Sequence, residues 1–533
     1  MNRAELAGIV SQYLPTNVGI LLAGSQVIND DFSNTADIDL IVIEASFSHI
    51  QSFSLGYNGY KIDLAILPLT NLEAVLSDEA NDPRGGLLHM LSNGHAIKDN
   101  FGLFPLIREK AQLMTTRIAG KTIPVYERKM AELANYGKYF SKSLSKEQKN
   151  LLLCDVVAAI STAEAIKSST WMSKRDKLAL LNEGNGNTVC HELMDIFNKC
   201  LQEEKYESLV DFINYYIQTR ASLPLHSPLT SSRLLIDIDY PDFSMGDFIG
   251  RVLPVIRQAP VAGENFRYFY LSPRHYQKTY QNRVTISFQI KSHDQASNMI
   301  RELDTLLDDI LTKGRRVSLV YQEPVLYPDQ SFQLIEALRI SFNLFMVNEI
   351  NAERSGSVIQ IYHSILIAAY VASSLQLSTK DMIKANTFLA QRSLFSPLEQ
   401  AQLKGFEQLK KMQEMKMQQV MAFFQQHQKG IIDYANDGLL LALGNKTNAR
   451  ADYTVFIKAI EDIISKEDFF GAHDNNLDYL ALKRAQCEET YKALLYVTIM
   501  DETLLFLNVQ EAEKFACLAC SSRSMGELKG KES

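Results

Sequence analysis

Three aspartates near the N-terminus, Asp37, Asp39 and Asp63, each interrupt an apolar run: Asp37-Ile38-Asp39-Leu40-Ile41-Val42 and Ile62-Asp63-Leu64-Ala65-Ile66. In a β-strand, residues two apart point to the same face. Asp37 and Asp39 are therefore expected side by side, with Ile38, Leu40 and Val42 anchoring the other face. Two carboxylates that close repel each other unless a cation sits between them. Hard Mg²⁺, which favours a few carboxylates plus phosphate oxygens, is the natural counter-ion. If the strand carrying Asp63 pairs beside the first, the three carboxylates can hold two metal ions. Such a pair activates an attacking oxygen and stabilises leaving pyrophosphate. Burying three unpaired carboxylates would be expensive, which weighs against a chance pattern.

Gly24-Ser25 closes the apolar run Val18–Ala23. A glycine there lets the backbone approach a phosphate closely, and the serine hydroxyl can donate a hydrogen bond to it. A helix starting after Ser25 would add free N–H groups.

The elements that must position these residues follow from periodicity. Residues 4–14 read as a short amphipathic helix. Val18–Ala23, Asp37–Glu44 and Lys61–Leu67 read as buried strands, separated first by the polar segment Gly24–Ala36. From about 70 to 225 helical spacing takes over, with helices expected at 105–118, 124–142, 147–168, 174–183 and 189–219. The two prolines within Leu223–Pro228 mark a boundary near 225. Beyond it, strands at 234–238, 267–271, 283–290 and 317–322 alternate with helices at 244–258 and 293–313. That order suits a ferredoxin-like α+β sandwich. From 330 to 520 the chain is helical again, with 400–428 rich in Gln, Met and Lys. The expected fold class is α/β plus helical. Its segments are a mixed-sheet catalytic domain (1–104), a substrate-binding helical bundle (105–225), a ferredoxin-like module (226–328) and a C-terminal helical domain (329–533).

The N-terminal residues resemble the DNA polymerase beta-like nucleotidyltransferase superfamily. Its signature is an apolar strand ending in Gly-Ser, about a dozen residues, Asp-x-Asp/Glu on a second strand and a lone acid on a later one. Gly24-Ser25, Asp37-Ile38-Asp39 and Asp63 fill these positions. Residues 86–99 and the helices after them are similar to the antibiotic-modifying and minimal members, so the likeness covers roughly 8–225. The chain departs from the pattern at Ala36, where members often have Ser, and at Val27–Asn29, where many have a second Gly. The resemblance implies two Mg²⁺ held by Asp37, Asp39 and Asp63, and a nucleoside triphosphate lying over Gly24 and Ser25. It also implies transfer of a nucleoside monophosphate to an acceptor with release of pyrophosphate.

Composition bounds the rest. The chain has 533 residues, 46% apolar and 22% charged, with a formal net charge of −8. That length calls for several domains. An acidic surface disfavours non-specific nucleic-acid binding. Six scattered cysteines make no disulfide framework, and Cys517-x-x-Cys520 stands alone, without further metal ligands. No signal peptide and no run of membrane-spanning length are evident, so a cytoplasmic location is expected.

Other residues carry weaker readings. Asp155 and Glu164 are candidate general bases, though each suits a helix surface or cap better. His89 and His95 lie in the segment that closes the catalytic domain, where they could touch the nucleotide, but read first as packing or surface residues. Lys138, Lys142 and Lys146 follow helical spacing and could reach the triphosphate, but read first as a solvated basic face. Basic residues among Tyr268, Tyr270, Tyr276 and Tyr280 form a possible binding surface, or simply strands rich in tyrosine.

The expected activity is nucleotidylation of a small-molecule or biosynthetic acceptor. The alternatives are a protein or RNA end as acceptor, or a non-catalytic nucleotide-binding scaffold. Neither acceptor nor base is named by the sequence.

Overall fold

The computed structural model describes residues 2–24, 37–79, 86–118, 123–140, 144–167, 188–220, 232–239, 245–271, 283–308, 317–322, 328–351, 357–394, 399–400, 406–445, 451–471, 476–507, 509 and 511–532. The helix expected at 174–183 lies outside them.

A helix, Arg3–Tyr13, opens the chain, its first turn capped by the Asn2 side chain accepting from the Glu5 N–H. Five strands follow: β1 (Asn17–Ala23), β2 (Asp37–Glu44), β3 (Gln51–Tyr57), β4 (Tyr60–Pro68) and β5 (His95–Asp99). They form one mixed sheet in the order β3-β4-β2-β1-β5. β2 and β4 run parallel, and the other neighbours are antiparallel. Ile38, Leu40 and Val42 of β2 are fully buried, as are Ile62 and Ile66 of β4.

Two of the five strands were not expected. β3 alternates exposed Ser and Gly with half-buried residues, the pattern of an edge strand. It joins β4 through Asn58-Gly59, both with positive φ (48° and 83°), the conformation of a type I′ hairpin turn. β5 is only five residues long and follows the Gly86–Asn93 helix on the other side of the sheet.

The helices Leu103–Ile118, Ile123–Phe140 and Lys146–Lys167 match expectation to within two residues. The helix expected over 189–219 is two, Thr188–Glu203 and Glu207–Arg220. Glu204 between them has φ 59°, a left-handed conformation that ends a helix. The helices from Ile123 to Arg220 share a core of their own, around Leu133, Leu153, Ile160, Leu193, Leu209 and Ile213.

The ferredoxin-like expectation is met. β6 (Arg233–Asp239), β7 (Phe266–Leu271), β8 (Arg283–Gln289) and β9 (Val317–Gln322) form an antiparallel sheet in the order β7-β8-β6-β9. Two helix-bearing crossovers demand that order, because each skips one strand position. Phe248, Ile256, Met299 and Leu303 from the crossover helices fill the core beneath it. The edge strand β7 is not left open. Asn343 accepts from the Phe269 N–H and donates to the Phe269 carbonyl, both at 2.7 Å, satisfying groups that a missing strand would have taken.

From Asp329 onward the described residues are helical, from Asp329–Asn351 to Glu511–Glu532. The Ser357–Ser374 and Phe406–Ala442 helices pack closely. Gly438 permits this, since a side chain there would collide with the Leu366 carbonyl. This region shares one continuous core with the first sheet, about 300 residues earlier. Polar contacts reinforce the join. Gln400 accepts from the Ser48 and His49 N–H groups and donates to the His49 carbonyl. Arg392 donates to the Thr70 carbonyl and forms ion pairs with Asp478 and Asp501, each at 2.5 Å.

Candidate active site

The carboxylate cluster sits where β1 ends and β2 begins. β2 and β4 are in register, Asp37 opposite Lys61 and Asp39 opposite Asp63. Asp39 is also opposite Ala23 of β1, and Asp63 opposite Ser54 of β3. Directly opposed residues share a face. One row therefore crosses four strands as Ser54, Asp63, Asp39 and Ala23, with Asp37 and Lys61 in the next row on the same face. The three aspartates expected to meet do so on one sheet face.

Exposure grades across the cluster. Asp37 is exposed, Asp39 and Asp63 half-buried. Gly24 follows directly, with φ 70°. A Cβ there would overlap the Asp39 carboxylate. Glycine thus serves twice: it adopts the left-handed turn and leaves space for Asp39. Ser25, the other expected phosphate contact, lies outside the described residues.

The site is electrostatically divided. Burial, and then the charges of Asp37 and Asp63, raise the proton affinity of Asp39 above the ordinary carboxylate range. Asp63 is held below that range, first by the Lys61 ammonium and then by Ser54. Lys61 Nζ donates to Asp63 Oδ2 at 2.5 Å, and Ser54 Oγ donates to Oδ1 at 2.5 Å. The same contact raises the Lys61 ammonium's own affinity for its proton. Three carboxylates against one ammonium leave a formal charge of −2.

Hard oxygen donors on one face suit a divalent cation, and Asp39, desolvated between two anions, would gain most from one. As the side chains stand, no three His, Cys, Asp or Glu among the described residues converge on one ion position. Both oxygens of Asp63 are engaged, Oδ2 by Lys61 and Oδ1 by Ser54.

Lys61 and Ser54 escaped the sequence reading, although signals existed. Lys61 is two residues from Asp63 on the same strand. The Asn58-Gly59 turn pairs Tyr57 with Tyr60, and counting three residues outward from each places Ser54 opposite Asp63.

The weaker candidates lie elsewhere. His95 opposes Leu22 in the β1–β5 pair, on the face away from Asp39. His89 is exposed on the Gly86–Asn93 helix, beside Asn93. Glu164 is buried in the helical bundle, accepting from the Tyr216 hydroxyl at 2.8 Å, which accounts for it structurally. Asp155 is exposed on that bundle, whose helices touch β9 and the His293–Asp308 helix. Lys146 pairs with Glu204 at 2.5 Å, Lys138 is exposed, and Lys142 lies outside the described residues. Tyr268 and Tyr270 pack against Phe506, 5.6 and 5.4 Å between ring centroids, instead of forming an open binding surface. Tyr276 and Tyr280 lie outside the described residues.

Among the described residues no helix is long and apolar enough to cross a membrane. The chain matches no protein-family model, and no curated protein resembles it in sequence. Solved structures with a likeness to it include two. One is a nucleotidyltransferase-like protein from Exiguobacterium sibiricum 255-15, at 10% identity over 54% of this chain and 99% of that one, with a TM-score of 0.29. The other is a pyridine synthase from thiomuracin biosynthesis, at 12% identity over 56% of this chain and 99% of that one, with a TM-score of 0.32. At such scores neither likeness carries weight, and the functional reading rests on the residues of the site.

Proposed function

We propose that this chain is a metal-dependent nucleotidyltransferase, moving a nucleoside monophosphate from a nucleoside triphosphate to a small-molecule or biosynthetic acceptor. The observation that carries this is the row of carboxylates: Asp39 and Asp63 in register on adjacent parallel strands, with Asp37 on the same face and Gly24 against Asp39. Three carboxylates gathered on one sheet face repel each other, and a bound divalent cation would relieve that repulsion.

Asp37, Asp39 and Asp63 would hold Mg²⁺, two ions being the expected number. When bound, Mg²⁺ supplies polarisation of phosphoryl oxygens and charge compensation for departing pyrophosphate. The chain's own residues do the positioning. Gly24 gives the phosphates access to backbone, and Ser25 is the proposed hydroxyl donor beside it. Ser54 holds the Asp63 carboxylate in orientation. The acceptor's oxygen bonds to the α-phosphorus as the bond to the β-phosphate oxygen breaks. The electron pair leaves with pyrophosphate, and the acceptor's proton passes to solvent or a base. The net charge of −8 favours a small acceptor over a polyanion.

The test is incubation with α-labelled triphosphates, Mg²⁺ and cell extract, followed by mass spectrometry of the labelled product. A labelled small molecule that disappears with Asp39→Asn supports the reading. Failure of the wild-type protein to bind any Mg-nucleotide by calorimetry overturns it.

A further inference from the structure

Lys61 has a position in the cluster that the nucleotidyltransferase reading does not use. We propose that Lys61 is an exchangeable counter-ion: it neutralises Asp63 until a divalent cation displaces it, and then pairs with the triphosphate. This inference rests on the nucleotidyltransferase reading and adds to it an order of events at the third carboxylate.

The geometry gives the physical reason for the first half. Lys61 Nζ lies 2.5 Å from Asp63 Oδ2, and Ser54 holds Oδ1. Mg²⁺ takes carboxylate oxygens at about 2.1 Å. An ammonium and a divalent cation on one carboxylate would be close neighbours of like charge, which favours departure of the monovalent one. Ser54 need not leave, because a carboxylate oxygen has lone pairs for both a hydroxyl and a metal.

Lys61 is built to leave. Its side chain is 57% exposed, and Asp63 is its only hydrogen-bond and ion-pair partner among the described residues. Its flexible four-carbon stem allows the ammonium to swing without moving the strand. The stem also limits where it goes. Lys61 is the register partner of Asp37 and shares its face. On the proposed reading, the triphosphate lies over that same face beside Gly24. A released ammonium there meets phosphate oxygens, and Lys is a common phosphate partner. The lysine thus changes partner from Asp63 to substrate as the metal arrives.

Two affinities test this, neither needing turnover: Mn²⁺ by electron paramagnetic resonance without nucleotide, and a non-hydrolysable triphosphate analogue by calorimetry at saturating Mn²⁺. Lys61→Met should bind Mn²⁺ about two- to fivefold more tightly than wild type, the scale of an exposed ion pair. It should bind the analogue about tenfold more weakly, the scale of one charge-assisted hydrogen bond. Lys61→Arg, which keeps the charge, should stay near wild type for Mn²⁺. An unchanged or weaker Mn²⁺ affinity in Lys61→Met overturns the proposal, and so does unchanged analogue binding. If the wild-type protein binds no Mn²⁺ at all, the nucleotidyltransferase reading itself fails, which is a different result.

Discussion

Asp39 and Asp63 stand opposite each other on the parallel strands β2 and β4, on one face of the sheet. β4 is separated from β2 in sequence by the whole of β3, so the pairing is a product of the sheet. Asp39→Asn and Asp63→Asn should each keep the fold, because both side chains are partly solvent-facing. Each should lower pyrophosphate release by about 10³-fold or more, since metal polarisation contributes several kcal/mol and each 1.4 kcal/mol is tenfold. Circular dichroism beside a pyrophosphate assay separates the two effects. Full activity in either variant would remove the carboxylates from the mechanism.

Gly24→Ala combines two faults. At φ 70° an L-residue costs about 1–2 kcal/mol, and its methyl group would push into the Asp39 carboxylate. A modest fall in melting temperature with a disproportionate loss of activity is expected. Equal small losses in both would mean that Asp39 tolerates displacement.

Ser54→Ala removes the donor to Asp63 Oδ1. The site is at a strand edge, so stability should change by less than about 0.5 kcal/mol. The turnover rate should drop about tenfold, in line with one hydrogen bond to a charged group. Steady-state kinetics on the purified variant would show it.

Arg339 and Glu502 form a buried bidentate pair, 2.7 and 2.8 Å, and Arg339 also donates to the Tyr268 hydroxyl. Arg339 and Glu502 lie on two C-terminal helices, Asp329–Asn351 and Thr490–Phe506, and the Tyr268 hydroxyl on β7 joins the ferredoxin-like module to them. Arg339→Met should destabilise by about 3–5 kcal/mol by stranding Glu502. Adding Glu502→Leu should recover much of that loss. Urea unfolding of the two variants decides whether the penalty is the orphaned charge.

Cys517 and Cys520 are both buried on the terminal helix. Burial raises both thiols, Cys520 to about 12. A raised pKa keeps a thiol protonated, and so unreactive, throughout the range below it. Exposed Cys154 should react with a thiol reagent at pH 8 well before Cys200, Cys487, Cys517 or Cys520. Fast labelling of Cys517 in the folded protein would contradict its burial.

The local part of this structure was legible in the residues. Apolar runs broken by Asp37, Asp39 and Asp63 determined the two central strands and the face carrying the carboxylates, because strand alternation depends only on neighbours in sequence. The order of strands and helices between 233 and 322 likewise suited a ferredoxin-like sheet, whose strand pairing the structure supplied. Partners were not legible. Edge strand β3 is too polar to register as a buried strand, so Ser54 went unseen beside Asp63. Glu204 breaks a run that periodicity alone extends, because a left-handed residue leaves the apolar spacing on either side intact. Only the tertiary structure brought Gln400 to Ser48 and Arg392 to Thr70 across more than 300 residues, fusing the last helices with the first sheet. An apolar face shows in sequence that it must be covered, but what covers it depends on shape and on the whole path of the chain.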